Sequence, residues 1–374
     1  MKVIFTCGGT GGHINPAIAV ANVLKERDPD CQILFIGGRE GMEEDLVPRA
    51  GFRMECIRVA GLSRNLNWKG LKWNLKVPGI IRTAIRDCKR IIRQFQPDVI
   101  VGTGGFASFP ALYAGSRLGI PICVHESNAV PGLTTKLIAN RADKVLVCFA
   151  ESAAHYRNSE RVEVVGMPVR REFMSADRES ARRELGLDHR PLVVSAFGSL
   201  GARAMNEMTV QLLKLEQQAG HPFHHIHATG SFGWEWMPKA LEENGVQVND
   251  GQGIDVRQYI YNMPTVMAAA DVIISRAGAS SCNEICASGT PSILIPSPNV
   301  TNHHQEKNAA ILANRGAALV VQEPECDAQT LFDVIQRLLS DREKRRSMSA
   351  ILREMVVLDS AEQICDRIQD LVRK

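Results

Sequence analysis

The 374-residue chain has no long apolar run, no paired-cysteine pattern and no strong net charge. No stretch approaches the roughly 18 consecutive apolar residues of a membrane-spanning helix, and the apolar run at the start is far shorter than a signal-peptide core. The ten cysteines contain no Cys-x-x-Cys pair, which favours reduced thiols over a disulfide framework or a zinc site. A net charge of +3 does not by itself indicate nucleic-acid binding. We therefore expect a soluble protein, or one that lies at most on a membrane surface.

Familiar dinucleotide, P-loop and metal signatures are missing as well. The first glycine loop fails the Gly-x-Gly-x-x-Gly spacing, because Ile14 occupies the last glycine position, and it is not a P-loop. The only Asp-x-Asp string, at residues 28–30, falls between a predicted helix and a predicted strand and is interpreted as a turn. Strand alternation places His225 and His227 on one face and His224 on the other, which argues against a metal cluster. We expect no metal and no other cofactor.

The chain does contain an alternation of short β-branched runs and helical patterns, beginning with KVIF, QILFIG and DVIVG. Continuous apolar strands separated by helices predict parallel sheets that are covered on both faces. Residues 3–24 and 192–213 share one layout of strand, glycine turn and helix. The sequence therefore predicts two doubly wound, Rossmann-like α/β domains whose ligand crevices face one cleft. We place them at 1–163 and 164–345, with a final helix at 346–374 that packs across both.

The first glycine loop is CGGTGGHINP, residues 7–16. Asn15 is a plausible N-cap and Pro16 a plausible first helical residue, so the loop precedes a helix N-terminus. Glycines there let backbone N–H groups approach an oxygen-rich or diphosphate group. His13 then points into the cleft and could accept a proton near neutral pH, although a solvated or capping histidine in a tight turn fits the same pattern.

Two further polar loops follow strands of the first half. GTGGFASFP contains Gly104 and Gly105, and HESNAVPG contains His125, Glu126 and Asn128. Ligands bind at the carboxyl ends of parallel strands, so these loops are candidates for a substrate or diphosphate site. Packing turns and purely structural hydrogen bonds remain the alternatives.

The second half repeats the arrangement with FGSLGAR and SRAGASSCNE. Ser199 can donate to a phosphate oxygen, and the residues from Gly278 to Ser281 lead into a helix whose N–H groups suit a diphosphate. Glu284 could accept both hydroxyls of a ribose, or it could close a capping box with Ser281. The later HHQEKN string places Gln305 near the same pocket, and the Ile260 backbone in QYIYNM could read a base edge, although core packing explains that string equally well.

A basic stretch at residues 61–93 contains nine Lys or Arg residues and one acid. Apolar and cationic side chains alternate in it, which suits an anionic membrane surface more than nucleic acid. A solvated helix face over a buried one is the alternative. The side chains predicted to meet the membrane are Trp68, Lys69, Lys72, Trp73, Leu75, Lys76, Ile80 and Ile81.

Taken in order, GGTGGHINPAIAVA, GTGGFASFP, HESNAVPGLTTK, GMPVR, GSLGAR, SRAGASSCNE and HHQEKNAAIL cover essentially the whole chain. This set resembles the N-acetylglucosaminyltransferases of glycosyltransferase family 28 that act in peptidoglycan synthesis. The resemblance implies the two-domain GT-B fold, a UDP-sugar held mainly by the C-terminal half and a lipid-linked acceptor held by the N-terminal half.

The resemblance also implies a set of site residues. His13, together with Thr10, Gly11 and Gly12, would face the acceptor and the donor diphosphate. Positions that would contact the donor are Asn128, Arg170, Ser199, Ile260, Ala279, Ser280, Ser281, Cys282, Asn283, Glu284 and Gln305. His13 would act as general base or as diphosphate ligand, and Arg170, Ser199 and the helix N-terminus at 279–284 would neutralise the leaving UDP in place of a metal.

The implied reaction is inverting transfer of GlcNAc from UDP-GlcNAc to undecaprenyl-diphosphate-linked MurNAc-pentapeptide, the lipid I to lipid II step, at the cytoplasmic face of the cell membrane. That step serves cell-wall biogenesis, and with it cell shape and division, so other wall-synthesis proteins are possible partners. Two alternatives stay open: a UDP-sugar:diacylglycerol transferase that makes glycolipids, and a UDP-sugar- or lipid-binding protein without catalysis.

Overall fold

The computed structural model describes residues 1–61, 67–170, 172–300 and 303–373. The chain forms two compact units. Unit 1 consists of Met1–Val169 and Val357–Lys374, and unit 2 is Arg170–Val356. The chain therefore leaves unit 1 once and returns to it for its last helix.

Unit 1 is built on seven strands: β1 (Lys2–Thr6), β2 (Gln32–Gly38), β3 (Arg53–Ile57), β4 (Val99–Gly102), β5 (Ile122–Glu126), β6 (Lys144–Val147) and β7 (Val162–Val164). All pairs are parallel, in the order β3-β2-β1-β4-β5-β6-β7. Its helices are α1 (Gly11–Arg27), α2 (Glu43–Arg49), α3 (Trp68–Phe95), α4 (Ser108–Arg117), α5 (Leu133–Ile138) and α16 (Ser360–Val372). Both faces of the sheet carry buried apolar clusters, as continuous apolar strands require.

Unit 2 is built on six strands: β8 (Leu192–Ala196), β9 (His224–Ala228), β10 (Ile254–Arg257), β11 (Val272–Ser275), β12 (Ser292–Leu294) and β13 (Ala318–Val320). They are also parallel, in the order β10-β9-β8-β11-β12-β13. Its helices are α6 (Glu172–Ser175), α7 (Arg178–Glu184), α8 (Arg203–Gln218), α9 (Gly230–Trp234), α10 (Met237–Glu243), α11 (Met263–Ala269), α12 (Ala279–Ser288), α13 (His304–Asn314), α14 (Ala328–Ser340) and α15 (Arg342–Met355).

Each sheet reverses its strand order beside its first strand. The reversal lies between β1 and β4 in unit 1 and between β8 and β11 in unit 2. Ligands of doubly wound sheets bind at the carboxyl ends of the strands at this switch point. The four glycine loops singled out in the sequence follow these four strands. The predicted fold class of two doubly wound α/β domains is confirmed.

The last 29 residues differ from the single predicted helix. They contain the end of α15, which belongs to unit 2, and the whole of α16, which belongs to unit 1. Val356 is extended, with φ −78° and ψ 137°, and a turn at Leu358 and Asp359 follows it. Two adjacent β-branched valines favour this break. In α16, Ile364 and Ile368 are buried in the core of unit 1.

The histidines of β9 follow the predicted alternation. His225 Nε2 and His227 Nδ1 each lie 2.7 Å from Ser195 Oγ in the interior of unit 2, and His224 bonds Asp188 at 2.8 Å. The Nδ1 atom of His225 bonds the buried carboxylate of Glu216 at 2.8 Å. Burial lowers the pKa of His227 to about 3, so this group of side chains is a polar part of the core.

Candidate active site

The first glycine loop joins β1 to α1, and α1 starts earlier than the sequence suggests. It begins at Gly11 with Thr10 as N-cap, so His13 lies in the first helical turn. The expectation that Asn15 caps the helix is wrong, because the glycines before it adopt helical geometry and Pro16 lies inside α1, where it has no N–H to donate to the Gly12 carbonyl. The N–H groups of Gly11 and Gly12 have no helical carbonyl to bond and point outward from the helix. They can receive an oxyanion.

His13 is held by the second glycine loop. Its Nδ1 lies 3.0 Å from the Thr103 carbonyl oxygen, and Thr103 Oγ1 donates to the His13 carbonyl at 2.6 Å. A carbonyl oxygen can only accept, so Nδ1 carries the hydrogen. In the neutral imidazole the lone pair is then on Nε2, which is the arrangement a general base needs.

The glycines of the second loop make room for the first. A Cβ at Gly104, where φ is +105°, would lie 2.8 Å from His13 Nδ1. A Cβ at Gly105, where φ is +82°, would lie 2.0 Å from the Gly8 carbonyl oxygen. Packing of one loop against the other therefore requires glycine at both positions. The role of Gly104 is to set the position of the imidazole.

Glu43 is a third support of the first loop, and the sequence analysis missed it. Its carboxylate is 1% exposed and accepts from Gly38 N at 2.8 Å and from Gly9 N at 3.2 Å. A Cβ at Gly8 would lie 2.4 Å from its Oε1, and one at Gly41 would lie 2.5 Å from Oε2. The signal was the density of glycines around Glu43, since each clears space for one carboxylate.

His125 and Glu126 are inside unit 1. His125 Nε2 donates to the Gly166 carbonyl at 2.8 Å, and burial lowers the pKa of its imidazole. Glu126 accepts from Asn128 N and Asn128 Nδ2, both at 3.0 Å, and from Gly132 N at 3.0 Å. The two side chains are 1% and 3% exposed. They hold the loop that presents Asn128, and we assign them positioning roles instead of the direct ligand contact expected from sequence.

In unit 2, the loop after β8 presents Ser199. This residue is exposed, and its carbonyl accepts from Ser231 N at 3.1 Å. Gly201, where φ is +81°, passes so close to Thr229 that a Cβ would lie 2.1 Å from the Thr229 carbonyl oxygen. The Ser199 hydroxyl thus stands on a loop fixed to the end of β9.

The loop after β11 ends in the N-terminus of α12. Gly278 is the N-cap and Ala279 the first helical residue. The first N–H groups, those of Ala279, Ser280 and Ser281, have no helical acceptor. Among the described residues, the buried Ser280 Oγ has no hydrogen-bond partner. This end of α12 offers several donors to one anionic group.

Cys282 and Asn283 do not present their side chains there. Cys282 is 0% exposed and its N–H bonds the Gly278 carbonyl at 2.9 Å. Asn283 is buried, and its Nδ2 donates to the Ala279 carbonyl at 2.8 Å. A side-chain contact from either residue to a ligand, as expected from sequence, does not fit this geometry. Both residues anchor α12 to the core.

Glu284 is one turn further along α12. The capping-box alternative fails, because the N-cap is Gly278 and Ser281 is already inside the helix. Burial raises the pKa of its carboxyl from 4.5 to about 7, against the opposing charge of Arg170. Arg170 is exposed, with its guanidinium carbon 5.1 Å from the centre of the Phe173 ring. A carboxylate that is costly to ionise gains from hydroxyl donors.

The remaining predicted contacts are of two kinds. Gln305 Oε1 accepts from Ser297 N at 2.8 Å, so its side-chain nitrogen is the group that can donate to a ligand. Ile260 is 2% exposed and packs in the core, whereas Tyr259 and Tyr261 beside it are 47% and 85% exposed. Any contact from position 260 to a base is therefore made by its main chain.

The Asp-x-Asp string lies in a turn, as predicted, with Asp28 Oδ1 accepting from Asp30 N at 3.2 Å. Within residues 1–61, 67–170, 172–300 and 303–373, no group of three or more His, Cys, Asp or Glu side chains could hold a metal ion. The ten cysteines, all of them in these ranges, are free thiols.

The basic stretch of the sequence forms α3, and residues 62–66 of that stretch lie outside the described residues. Near the start of α3, Trp68 and Leu75 are 71% and 77% exposed, and Lys72 Nζ lies 5.9 Å from the Trp68 ring centre. Ile80 and Ile81 are half-buried. No helix in the described part of the chain is long and apolar enough to cross a bilayer.

Two protein-family models match the chain, one in each half. Residues 3–147 match the glycosyltransferase family 28 N-terminal domain, and residues 192–364 match the family 28 C-terminal domain. The chain belongs to glycosyltransferase family 28. It is therefore a glycosyltransferase, and its two doubly wound units are those of the GT-B fold.

Relatives in this family are similar over nearly their whole length. A protein from Acetivibrio thermocellus is 38% identical, over 100% of this chain and 99% of its own length. One from Caldanaerobacter subterraneus is 40% identical, over 93% of this chain and 96% of its own length. Both are named UDP-N-acetylglucosamine--N-acetylmuramyl-(pentapeptide) pyrophosphoryl-undecaprenol N-acetylglucosamine transferase. The crystal structure of Acinetobacter baumannii MurG superposes with a TM-score of 0.79 at 28% identity, covering 99% of each chain.

Proposed function

We propose that this family 28 enzyme transfers N-acetylglucosamine from UDP-N-acetylglucosamine to muramoyl-pentapeptide carried on undecaprenyl diphosphate, the lipid I to lipid II step of peptidoglycan synthesis. The activity named for the full-length relatives supports this reaction. The observation that carries it in this chain is the pair of ordered glycine loops at the switch point of each sheet.

Unit 2 binds the donor. The N–H groups at the start of α12 and the Ser280 and Ser281 hydroxyls bind the diphosphate, with Arg170 and Ser199 adding charge and a further donor. Ionised Glu284 accepts from both ribose hydroxyls. The side-chain nitrogen of Gln305 donates to the sugar.

Unit 1 supplies the base. The acceptor hydroxyl oxygen attacks C1 of the N-acetylglucosamine, and its proton passes to His13 Nε2. The C1–O bond to UDP breaks, and its electron pair leaves with the diphosphate. The Thr103 carbonyl keeps the hydrogen of neutral His13 on Nδ1 and stabilises the imidazolium that forms. One displacement inverts the configuration at C1.

The leaving diphosphate is stabilised by preorganised protein donors. Arg170, Ser199 and the N–H groups of Ala279 to Ser281 supply positive charge and hydrogen bonds as negative charge develops. This donor set performs the task that a divalent cation performs in many sugar transferases. We therefore expect UDP release to be unchanged by a chelator.

The exposed end of α3 binds an anionic membrane at its cytoplasmic face. Lys69, Lys72 and Lys76 interleave with exposed apolar side chains, and each cation near an anionic surface contributes about 1 kcal/mol. Trp73 Nε1 donates to the Gly61 carbonyl at 3.0 Å.

Phe106 connects this surface to the second glycine loop. It is 47% exposed and follows Gly105 directly, and a Cβ at Gly61 would lie 3.7 Å from its ring. Gly61 therefore lies between two partly exposed aromatic side chains, Trp73 of the membrane-binding helix and Phe106 of the loop that positions His13. This suits an acceptor with a polyprenyl chain.

A matrix of donors and acceptors tests the reaction. UDP release is measured with UDP-GlcNAc, UDP-GalNAc and UDP-glucose, each with lipid-linked muramoyl-pentapeptide or with diacylglycerol. We expect release only with UDP-GlcNAc and the muramoyl lipid. Release with diacylglycerol would identify a glycolipid transferase, and UDP binding without release would identify a binding protein.

Vesicle sedimentation tests the membrane surface. Wild type should sediment with phosphatidylglycerol vesicles, and the Lys69→Gln/Lys72→Gln/Lys76→Gln variant should not. The matched control is Arg337→Gln/Lys344→Gln, which removes exposed cations from unit 2. Equal binding of wild type to neutral and anionic vesicles would refute the electrostatic part.

A further inference from the structure

A cavity of about 690 Å³ lies in unit 2, away from the donor loops. Its lining includes Asp271, just before β11, and Thr290 and Pro291, just before β12. These positions are at the amino ends of the strands. Ser199 and the N-terminus of α12, by contrast, lie at the carboxyl ends. The cavity therefore lies at the opposite edge of the sheet from the two donor loops.

One wall of the cavity is a stripe of arginines on α15. Arg342, Arg346, Ser349 and Arg353 line it, at spacings of four, three and four residues, so they share one face of the helix. The three arginines make no hydrogen bond or ion pair with any residue that the structure describes. Like charges at this spacing destabilise an isolated helix, so the stripe does not serve the stability of α15.

The other charges of the lining are already engaged. Arg178 bonds Asp271 at 2.8 Å and the Ala270 carbonyl at 2.7 Å. Asp177 caps α7 by accepting from Ser180 N at 2.8 Å. Arg345 donates to the Leu338 carbonyl at 2.8 Å. Four arginines of the lining, Arg345 and the three of the stripe, therefore have no carboxylate partner among the described residues, and of these four only the stripe arginines make no hydrogen bond.

The segment that enters β12 lies directly against α15. Ser349 Oγ donates to the Gly289 carbonyl at 2.5 Å, and Gly289 has φ +66°. A Cβ at Gly289 would lie 2.7 Å from Arg353 Nε. Thr290 Oγ1 donates to the Met267 carbonyl at 3.0 Å. The cavity is preformed, because α15 is tied to the segment that enters β12.

We propose that this cavity is a second anion site, which binds a soluble oligophosphate, a chain of two or more linked phosphate groups. Its volume is in the range of small-molecule sites. Guanidinium groups bind phosphate oxygens in pairs, and the stripe spans about 16 Å of helix, which is longer than one phosphate needs. A linked series of phosphates neutralises all three arginines at once.

Calorimetry with tripolyphosphate as the probe tests this site. The full chain is first saturated with UDP, which fills the proposed donor site. Wild type should then bind one equivalent of tripolyphosphate, and Arg342→Gln/Arg346→Gln/Arg353→Gln should bind about a hundredfold more weakly. Lys344→Gln, an exposed cation on the same helix outside the cavity, should bind as wild type does. Arg346→Gln alone should give an intermediate affinity if the triple variant folds poorly.

Three results would overturn the proposal: loss of tripolyphosphate binding when UDP is present, equal affinity in the triple variant, and binding of phosphatidylglycerol vesicles through these arginines without any binding of tripolyphosphate. The UDP titration that precedes each experiment reports on the donor site separately. A failure of the donor proposal is therefore distinguishable from a failure of this one.

Discussion

Replacing Glu284 with glutamine should raise the free energy of unfolding and lower the affinity for the donor. Loss of one carboxylate thus changes stability and binding in opposite directions. Burial raises the pKa of Glu284 from 4.5 to about 7. At about 1.36 kcal/mol per pKa unit, this difference corresponds to about 3 kcal/mol. The folded chain holds the proton more tightly than the unfolded chain, so the stability from this group is complete below pH 4.5 and is lost as pH rises through about 7.

Glu284→Gln removes the cost of ionisation. At pH 8 the variant should be more stable than wild type by about 3 kcal/mol, which for a domain of this size raises the unfolding midpoint by about 6–12 °C. At pH 4.5 the two proteins should melt together. Thermal unfolding at the two pH values measures the difference. Glu354→Gln, an exposed carboxylate of the same unit, is the control and should show no pH-dependent gain.

The same variant should lose affinity for UDP. Hydrogen bonds from the ribose hydroxyls to a charged acceptor are worth about 1.5–3 kcal/mol, so calorimetry should show a loss of about tenfold to hundredfold. Wild-type affinity should rise with pH up to about 7, and this dependence should disappear in Glu284→Gln. If Glu284→Gln is no more stable than wild type at pH 8, burial does not raise the pKa of Glu284. Unchanged UDP affinity would refute the ribose contact.

Three further substitutions test unit 1. His13→Ala should lower kcat by about 10²- to 10⁴-fold and, in a pH profile, remove the fall of kcat on the acidic side, where protonation of the base stops it from accepting a proton. Gly104→Ala should lower kcat with little change in the KM for donor, because the new methyl group would displace the His13 ring that lies 2.8 Å away. Glu43→Gln should replace one acceptor by an amide donor facing the Gly9 or Gly38 N–H, destabilising unit 1 by about 1–3 kcal/mol in chemical denaturation and lowering kcat.

For these three predictions, the following controls apply, and the following results would contradict the proposed roles. A kcat of His13→Ala within about threefold of wild type at every pH would exclude the base. Gly119→Ala, with φ +74° and nothing within 4 Å of its Cβ, controls for backbone strain alone and should retain kcat. Glu40→Gln, at an exposed position, is the control and should leave both stability and kcat unchanged. The same result for Glu43→Gln would show that the Glu43 carboxylate does not support the loop.

The fold and the four loops could be predicted because their signals are local. Apolar runs of strand length separated by helical patterns specify parallel sheets, and glycines after strands mark the carboxyl edge. The start of α1 could not be placed, because Asn15 and Pro16 give a start signal while the glycines before them are compatible with helix or loop. The break before α16 rests on Val356 and Val357, two residues inside an otherwise helical pattern.

The residues that position the site could not be predicted from sequence for a different reason. Glu43 acts across the sheet edge on Gly9 and Gly38, contacts that exist only once β1 and β2 pair. Cys282 has the spacing of a ligand-binding loop but turns into the core, since the helix already begins at Ala279. Sequence locates loops at a switch point, whereas three-dimensional packing decides which side chains of a loop reach the ligand.

Direct displacement without a metal is tested by analysis of the product that the purified enzyme forms in the presence of EDTA, by mass spectrometry and by NMR of the new anomeric centre. We expect a β-linked GlcNAc on the lipid-linked muramoyl residue, with one UDP released for each linkage. An α linkage, or free N-acetylglucosamine in place of the disaccharide, would contradict direct displacement. Loss of the product until a divalent cation is restored would contradict stabilisation of the diphosphate by protein donors.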